Sequence, residues 1–127
     1  MSEIKSDLLY TKEHEWVRKA AGGTVVIGIT DFAQSSLGDV TFLDIPDAGK
    51  ELRAGEIFGT VESVKSVSDL YAPVSGKVVK SNRALVDDPA GINQDPYGDG
   101  WMLEIQVSNS AELEKLLSAG QYESVAE

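Results

Sequence analysis

Gly59-Thr60-Val61-Glu62-Ser63-Val64-Lys65-Ser66-Val67-Ser68-Asp69-Leu70-Tyr71-Ala72-Pro73-Val74-Ser75-Gly76 is the stretch from which the fold is read. Ile57, Phe58, Thr60 and Val61 on one side, and Val67, Leu70 and Tyr71 on the other, are β-branched, aromatic and aliphatic residues of the kind that suit half-buried strands. The segment between them, Ser63 to Ser66, reads as a hairpin tip. It contains none of the Gly, Asn, Asp or Pro that tight hairpins usually need. A turn that keeps Val64-Lys65 against local preference is a turn held for use.

A lysine at such a tip has three readings. It is a solvated surface charge, as lysines mostly are; or a catalytic amine; or a point of covalent attachment. Catalysis requires burial or a neighbouring cation to lower the amine's pKa. The nearest charges in sequence, Glu62 and Asp69, favour the protonated form instead. In the third reading the chemistry belongs to an attached group and the protein supplies its presentation.

Length and composition suit a small presenting domain. The 127 residues fit one unit, 1–127, with a radius of gyration of about 14 Å. An apolar fraction of 42% supports a folded core. With 21 acidic against 11 basic residues the net charge is −10, which disfavours nucleic acid and anionic membrane as partners. No stretch is long and apolar enough to span a bilayer, and Met1 to Asp7 has neither a signal-peptide core nor an Arg-rich transit pattern, so a cytoplasmic location is expected. There is no cysteine, hence no disulfide, no thiolate metal site and no protein dithiol. Any dithiol chemistry has to arrive on a cofactor.

Outward from the hairpin the pattern is mostly short strands. His14 to Arg18 and Thr24 to Thr30 read as a hairpin joined at Gly22-Gly23, and Asp39 to Ile45 as a further strand. Asp31 to Leu37, closed by Gly38, carries the signals of a short helix. Gly76 to Lys80 opens another strand. In the last, Trp101, Leu103, Ile105 and Val107 alternate with Met102, Glu104 and Gln106, the latter set expected on the solvent side. The C-terminal segment, about 110–125, reads as helical: Ser110 caps Ala111 to Ala119, with Leu113, Leu116 and Leu117 on one face, and Gly120 stops it before a possible further turn. Short strands at close spacing imply a sandwich or barrel.

Other constellations carry less. Asn93-x-Asp95-x-Tyr97-Gly98, with Glu104 at the twelfth place, imitates a calcium loop, but Tyr97 offers no suitable ligand and Pro96 intrudes. His14, the only histidine, is read as a partly buried structural residue beside Trp16 rather than as a base or metal ligand. Asp87-Asp88 before Pro89 reads as a cap and first helical position. No nucleophile elbow or nucleotide-binding glycine fingerprint is present. No catalytic residue and no metal site is expected.

Val61-Glu62-Ser63-Val64-Lys65-Ser66-Val67-Ser68-Asp69 with Pro73-Val74-Ser75-Gly76 resembles the lipoylation segment of the glycine cleavage system H proteins, a lipoyl carrier family. The resemblance extends upstream through His14-Glu15-Trp16-Val17, Ile27 to Gln34 and Leu37-Gly38-Asp39, and downstream through Asn82, Leu85, Pro89, Asn93 and Asp95 to Trp101. The family's usual alanine after the lysine is Ser66 here, and Gly91 stands where a leucine is more usual. Methionines, the usual neighbours of a biotinylated lysine, are replaced by Val64 and Ser66.

The resemblance implies a mainly β fold, a small β-sandwich or barrel-sandwich hybrid of the lipoyl/biotinyl carrier type with short helices and a C-terminal helix. It implies lipoate as cofactor, in amide linkage to Lys65, on a non-catalytic carrier. The arm would take an aminomethyl group from a pyridoxal-phosphate (PLP) glycine decarboxylase and pass its methylene to a tetrahydrofolate-dependent aminomethyltransferase. Reoxidation would fall to the FAD enzyme dihydrolipoamide dehydrogenase. Glu15, Ile29 and Asp69 match positions near a cleft that shelters the loaded arm, with Ser36 where some members place a histidine. Glu62 and Gly76 match positions on which the lipoate-attaching enzyme depends, Gly76 through a backbone turn that a Cβ would strain. Two other readings stay open: a lipoyl relay or depot for modifying other enzymes, and an unmodified scaffold or binding module.

Overall fold

The computed structural model describes residues 3–126. In chain order the strands are β1 (Leu9–Tyr10), β2 (Glu15–Lys19), β3 (Thr24–Ile29), β4 (Val40–Asp44), β5 (Glu51–Leu52), β6 (Ile57–Ser63), β7 (Val67–Tyr71), β8 (Gly76–Ser81) and β9 (Leu103–Val107). The helices are α1 (Asp31–Leu37), α2 (Arg83–Asp87), α3 (Gly91–Gln94) and α4 (Ala119–Val125). A six-stranded sheet runs β1-β2-β3-β9-β8-β5 and a three-stranded sheet runs β4-β6-β7. Every pairing is antiparallel.

Alternation in β3 explains how one sheet serves two cores. Val25, Ile27 and Ile29 point into the main core between the sheets, where they meet Leu43, Val61, Leu70, Val78 and Ile105. Val26 faces the other side, toward a second cluster of Leu8, Tyr10, Trp16, Tyr97, Tyr122 and Ala126. Trp16 lies flat on Gly28, its register partner: a Cβ there would come within 2.8 Å of the indole. With both faces covered, β2 buries Glu15 as well as Trp16 and Val17.

The C-terminal segment departs from the single helix expected over 111–119. Ser110–Lys115 is a 3-10 turn capped by Asn109, Leu116 is extended, and the true helix, α4, starts only at Ala119. The cause is tertiary. Leu113 and Leu116 pack on the main core while Leu117 packs on the second cluster, a division that one helical face cannot make. Glu112 is drawn to Ser75, accepting its backbone N–H at 2.7 Å and its hydroxyl at 3.0 Å. Leu117 then pairs with Tyr10, each N–H donating to the other's carbonyl at 2.8 Å. Ser118 and Gln121 form a reciprocal capping box that starts α4, so Gly120 lies inside a helix it was expected to stop.

Two smaller expectations are also corrected. Met102 lies ahead of β9 and is fully buried rather than on the solvent side. Asp88 caps the C-terminus of α2, so Pro89 follows that helix and does not open the next, whose N-cap is Ala90.

Candidate functional site

The β6–β7 hairpin replaces turn glycines with a serine side chain. Ser63 Oγ accepts the N–H groups of Lys65 at 3.3 Å and Ser66 at 3.1 Å, and the Ser63 N–H donates to the Ser66 carbonyl at 2.8 Å. None of the tip residues has positive φ, so the mirror-image turns that require glycine are not used. The tip is then tethered from outside: Val64 N–H donates to the Asp39 carbonyl at 3.1 Å.

That tether is itself supported. Asn93 donates to the Gly38 carbonyl at 2.8 Å and to Gln34 Oε1 at 3.0 Å, and accepts the Val40 N–H at 2.9 Å. It thus fixes the backbone on both sides of Asp39. Gly38 turns the chain out of α1 at φ 78°, and Lys65 passes over it, its Cε 3.6 Å from where a Cβ would stand. Among the described residues no carboxylate pairs with Lys65, whose side chain is exposed.

Beside the hairpin, a cavity of about 160 Å³ opens between α1 and the two hairpin strands. Its lining includes His14, Ile29, Phe32, Ser36, Val61 and Leu70. A larger hollow of about 290 Å³ lies elsewhere, between Tyr10 to Glu13, Gly55, Pro73 and Leu116, and does not include the tip.

Of the residues singled out from sequence, Ile29 and Ser36 line the smaller cavity and Lys65 stands beside it. Glu15 does not line it. Only 2% exposed, its carboxyl takes the Tyr71 backbone N–H at 2.8 Å and lies 3.3 Å from Thr11 Oγ1. Burial pushes its pKa up to about 8, so at neutral pH it is a protonated, inward-facing group. Asp69 is exposed, and in the register it shares a face with Thr60 and Asp44, while its neighbours Ser68 and Leu70 line the cavity. Glu62 is half-buried on that same outer face.

Gly76 is buried in β8, opposite Leu52 and Val107. A Cβ there would run into the Gln106 carbonyl and come within 2.7 Å of Ile105 Cγ2. The expected reason, a turn conformation, is therefore replaced by close strand packing.

The sequence reading missed the role of His14. It has φ 67°, alone among the described non-glycine residues in being positive, and stacks on Phe32 at 4.6 Å rather than on Trp16. Its Nδ1 lies 2.8 Å from the Tyr122 hydroxyl, which lies 2.7 Å from Thr30 Oγ1. Thr30 is fully buried, its oxygen accepts the Ala33 N–H, and among the described residues the Tyr122 oxygen is the one acceptor within hydrogen-bond distance of its hydroxyl, so its own hydrogen goes there. Burial holds the Tyr122 phenol protonated, its pKa pushed up to about 12. The Tyr122 hydrogen therefore goes to Nδ1, and the His14 proton resides on Nε2. Burial also lowers the imidazole's pKa. His14 thus brings a neutral N–H donor to the cavity's edge, a role visible only once α4 is packed.

A family model described as "Glycine cleavage H-protein" matches residues 8–127. The glycine cleavage system H protein of Carboxydothermus hydrogenoformans is 54% identical over 127 residues, covering 100% of this chain and 97% of that one. That of Mycobacterium avium is 59% identical over 119 residues, covering 94% and 90%. The crystal structure of a glycine cleavage system H protein from Mycobacterium marinum superposes with a TM-score of 0.87 at 45% identity, covering 95% of this chain and 97% of that one.

Proposed function

The chain belongs to the glycine cleavage H-protein family, and from that membership we propose that Lys65 is the residue through which it works, as the attachment point of a lipoyl amide. It is the lipoyl-bearing shuttle of the glycine cleavage system. The observation that carries the assignment to Lys65 is the tethered tip: an exposed, unpaired amine on a turn that Ser63, Asp39 and Asn93 hold in place.

The residues present fit such a group. Lys65 offers a free amine, and the cavity beside it, walled by Ile29, Phe32, Val61 and Leu70, suits an apolar ring. When bound, lipoate supplies the dithiol and disulfide chemistry that a chain without cysteine lacks. The chain's own residues orient and shelter. The hairpin fixes where the arm begins, and the apolar wall excludes water from whatever docks there. Glu13, His14, Ser36 and Ser68 are the polar residues of the cavity's lining. Amide formation removes one positive charge, taking the formal net charge from −10 to −11.

Glycine decarboxylase, aminomethyltransferase and dihydrolipoamide dehydrogenase are the proposed partners, together with the enzyme that attaches lipoate, and the cytoplasm is the proposed location. No helix among the described residues is long and apolar enough to cross a membrane.

Intact-mass measurement of protein from its native cell, followed by peptide mapping, tests the assignment. All of the added mass should map to Lys65. Mass on Lys77 or Lys80, or a free Lys65 in cells with an active lipoylation pathway, would overturn it. Lys65→Arg should fold, remain unacylated and carry nothing.

A further inference from the structure

The turn Thr11 to His14 is a wall common to two cavities. Thr11, Lys12 and Glu13 line the hollow of about 290 Å³, while Glu13 and His14 line the cavity beside Lys65. The turn is closed on itself: the Thr11 N–H donates to the Glu15 carbonyl at 2.9 Å and the His14 N–H to the Thr11 carbonyl at 3.1 Å. The other walls of the hollow are fixed as well. Gly55 N–H donates to the Ala72 carbonyl at 2.8 Å, and Tyr10 and Leu117 hold each other. The inner surface is apolar: Ala72 and Pro73 are buried, and Leu116 and Leu117 part toward different cores, leaving the hollow at the seam between them.

We propose that this hollow is an effector site for a small amphipathic carboxylate, whose apolar body lies on Pro73, Leu116 and Leu117, whose carboxylate pairs with Lys12 and Lys115, and whose presence is transmitted through the shared turn to the cavity beside Lys65. The charges of the lining support this class of ligand. Lys12 and Lys115 are exposed, and among the described residues neither makes an ion pair. Of the two acids in the lining, Glu112 already accepts the Ser75 N–H and hydroxyl with its two oxygens. Glu13 stands at the partition, where its charge turns a carboxylate toward the lysines.

Size and polarity narrow the class further. About 290 Å³ is at the lower end of the range for small-molecule sites. A wholly polar anion would leave the apolar surface wet, and a hydrocarbon would leave both ammonium groups without a partner; a carboxylate on a short apolar chain satisfies both. Transmission follows from the turn. Lys12 is free of ion pairs when the hollow is empty, so a ligand that fixes it favours one placement of the turn over others, and Glu13 and His14 belong to that same closed unit. The inference does not require Lys65 to be acylated, so its failure and that of the Lys65 assignment are separate.

The test titrates the full-length, nitrogen-labelled protein with hexanoate at pH 7 and follows its amide and imidazole signals. Hexanoate should saturate with a Kd on the order of 1 mM, moving the Gly55, Ala72, Lys115 and Leu117 amides most and the His14 ring nitrogens along the same curve. Acetate and 1-hexanol, each lacking one half of the ligand, should bind roughly tenfold more weakly. Lys12→Gln with Lys115→Gln should raise the Kd roughly fivefold to tenfold, whereas Lys77→Gln with Lys80→Gln, which makes the same change in net charge away from the hollow, should leave it within about twofold. No saturation by 20-fold that concentration, or equal binding of hexanol, would overturn the site. Largest shifts at Ile29, Ser36 and Val61 would place hexanoate in the cavity beside Lys65 and overturn it too. Saturation of the hollow with silent His14 nitrogens would overturn its role as an effector site.

Discussion

The Glu15 carboxyl takes the backbone N–H of Tyr71 at 2.8 Å, joining the second strand of the large sheet to the last strand of the hairpin that carries Lys65. It is an inter-sheet bond made by a group almost wholly out of water, and the burial that isolates it also sets its protonation.

Because its folded pKa is raised from 4.5 to about 8, Glu15 binds a proton in the native state that the unfolded chain has already released. Its contribution to stability is therefore fully present below about pH 4.5 and falls as pH rises toward about 8, by on the order of 1 kcal/mol per pH unit. Glu15→Gln keeps an oxygen for Tyr71 and places an N–H toward Thr11. It should remove this part of the pH dependence and be more stable than wild type at pH 8 to 9, as measured by urea denaturation across pH. An unchanged pH slope would place the carboxyl's ionisation elsewhere.

Asn93 should matter to the lysine it never touches. Asn93→Ala strips the Gly38 carbonyl and the Val40 N–H of their partners, which should cost about 1–3 kcal/mol. It should also loosen the Asp39 tether, so that hydrogen exchange at the Val64 amide quickens more than exchange in β3. Equal acceleration at both sites would mean only general destabilisation.

Gly76→Ala should act on the fold and not on recognition by a partner. The added methyl meets the Gln106 carbonyl and Ile105 across the β8–β9 pairing, and a loss of about 3 kcal/mol is expected, the upper end of overpacking. Thermal unfolding measures it. A variant with a wild-type midpoint and slow acylation would restore Gly76 as a recognition residue.

The His14 tautomer is directly observable. Long-range nitrogen–proton correlation spectra should show the proton on Nε2 at neutral pH, fixed by the Thr30–Tyr122 relay. Tyr122→Phe removes the donor to Nδ1 and should yield a tautomer mixture with the backbone fold retained. A proton on Nδ1 in the wild type would reverse the direction of the relay.

Where structure depends on neighbours in sequence, the chain was readable. The hairpin, the β2–β3 pair and α1 follow from alternation and capping residues, and α1 runs Asp31–Leu37 as expected. What could not be read turns on tertiary choice. Nothing in the spacing of Leu113, Leu116 and Leu117 says that they divide between two cores, so a helix was the natural reading. Glu15 looks like any strand carboxylate until the hairpin strand that carries Tyr71 packs over its face of β2. His14 reaches the cavity because its backbone takes a left-handed turn that only two flanking strands impose. At the site, Lys65, Ile29 and Ser36 were legible through resemblance, whereas the outward placement of Asp69 follows from a register that only the folded sheet fixes.

The mutual bonds between Tyr10 and Leu117 also bear on how the molecule behaves in a crowd. A bare outer strand invites the same strand of another copy to zip onto it. Here the large sheet ends on one side at a strand whose outward amide and carbonyl at Tyr10 are already taken by the chain's own C-terminal segment, and on the other at the two residues of β5. Such borders leave little backbone for self-association.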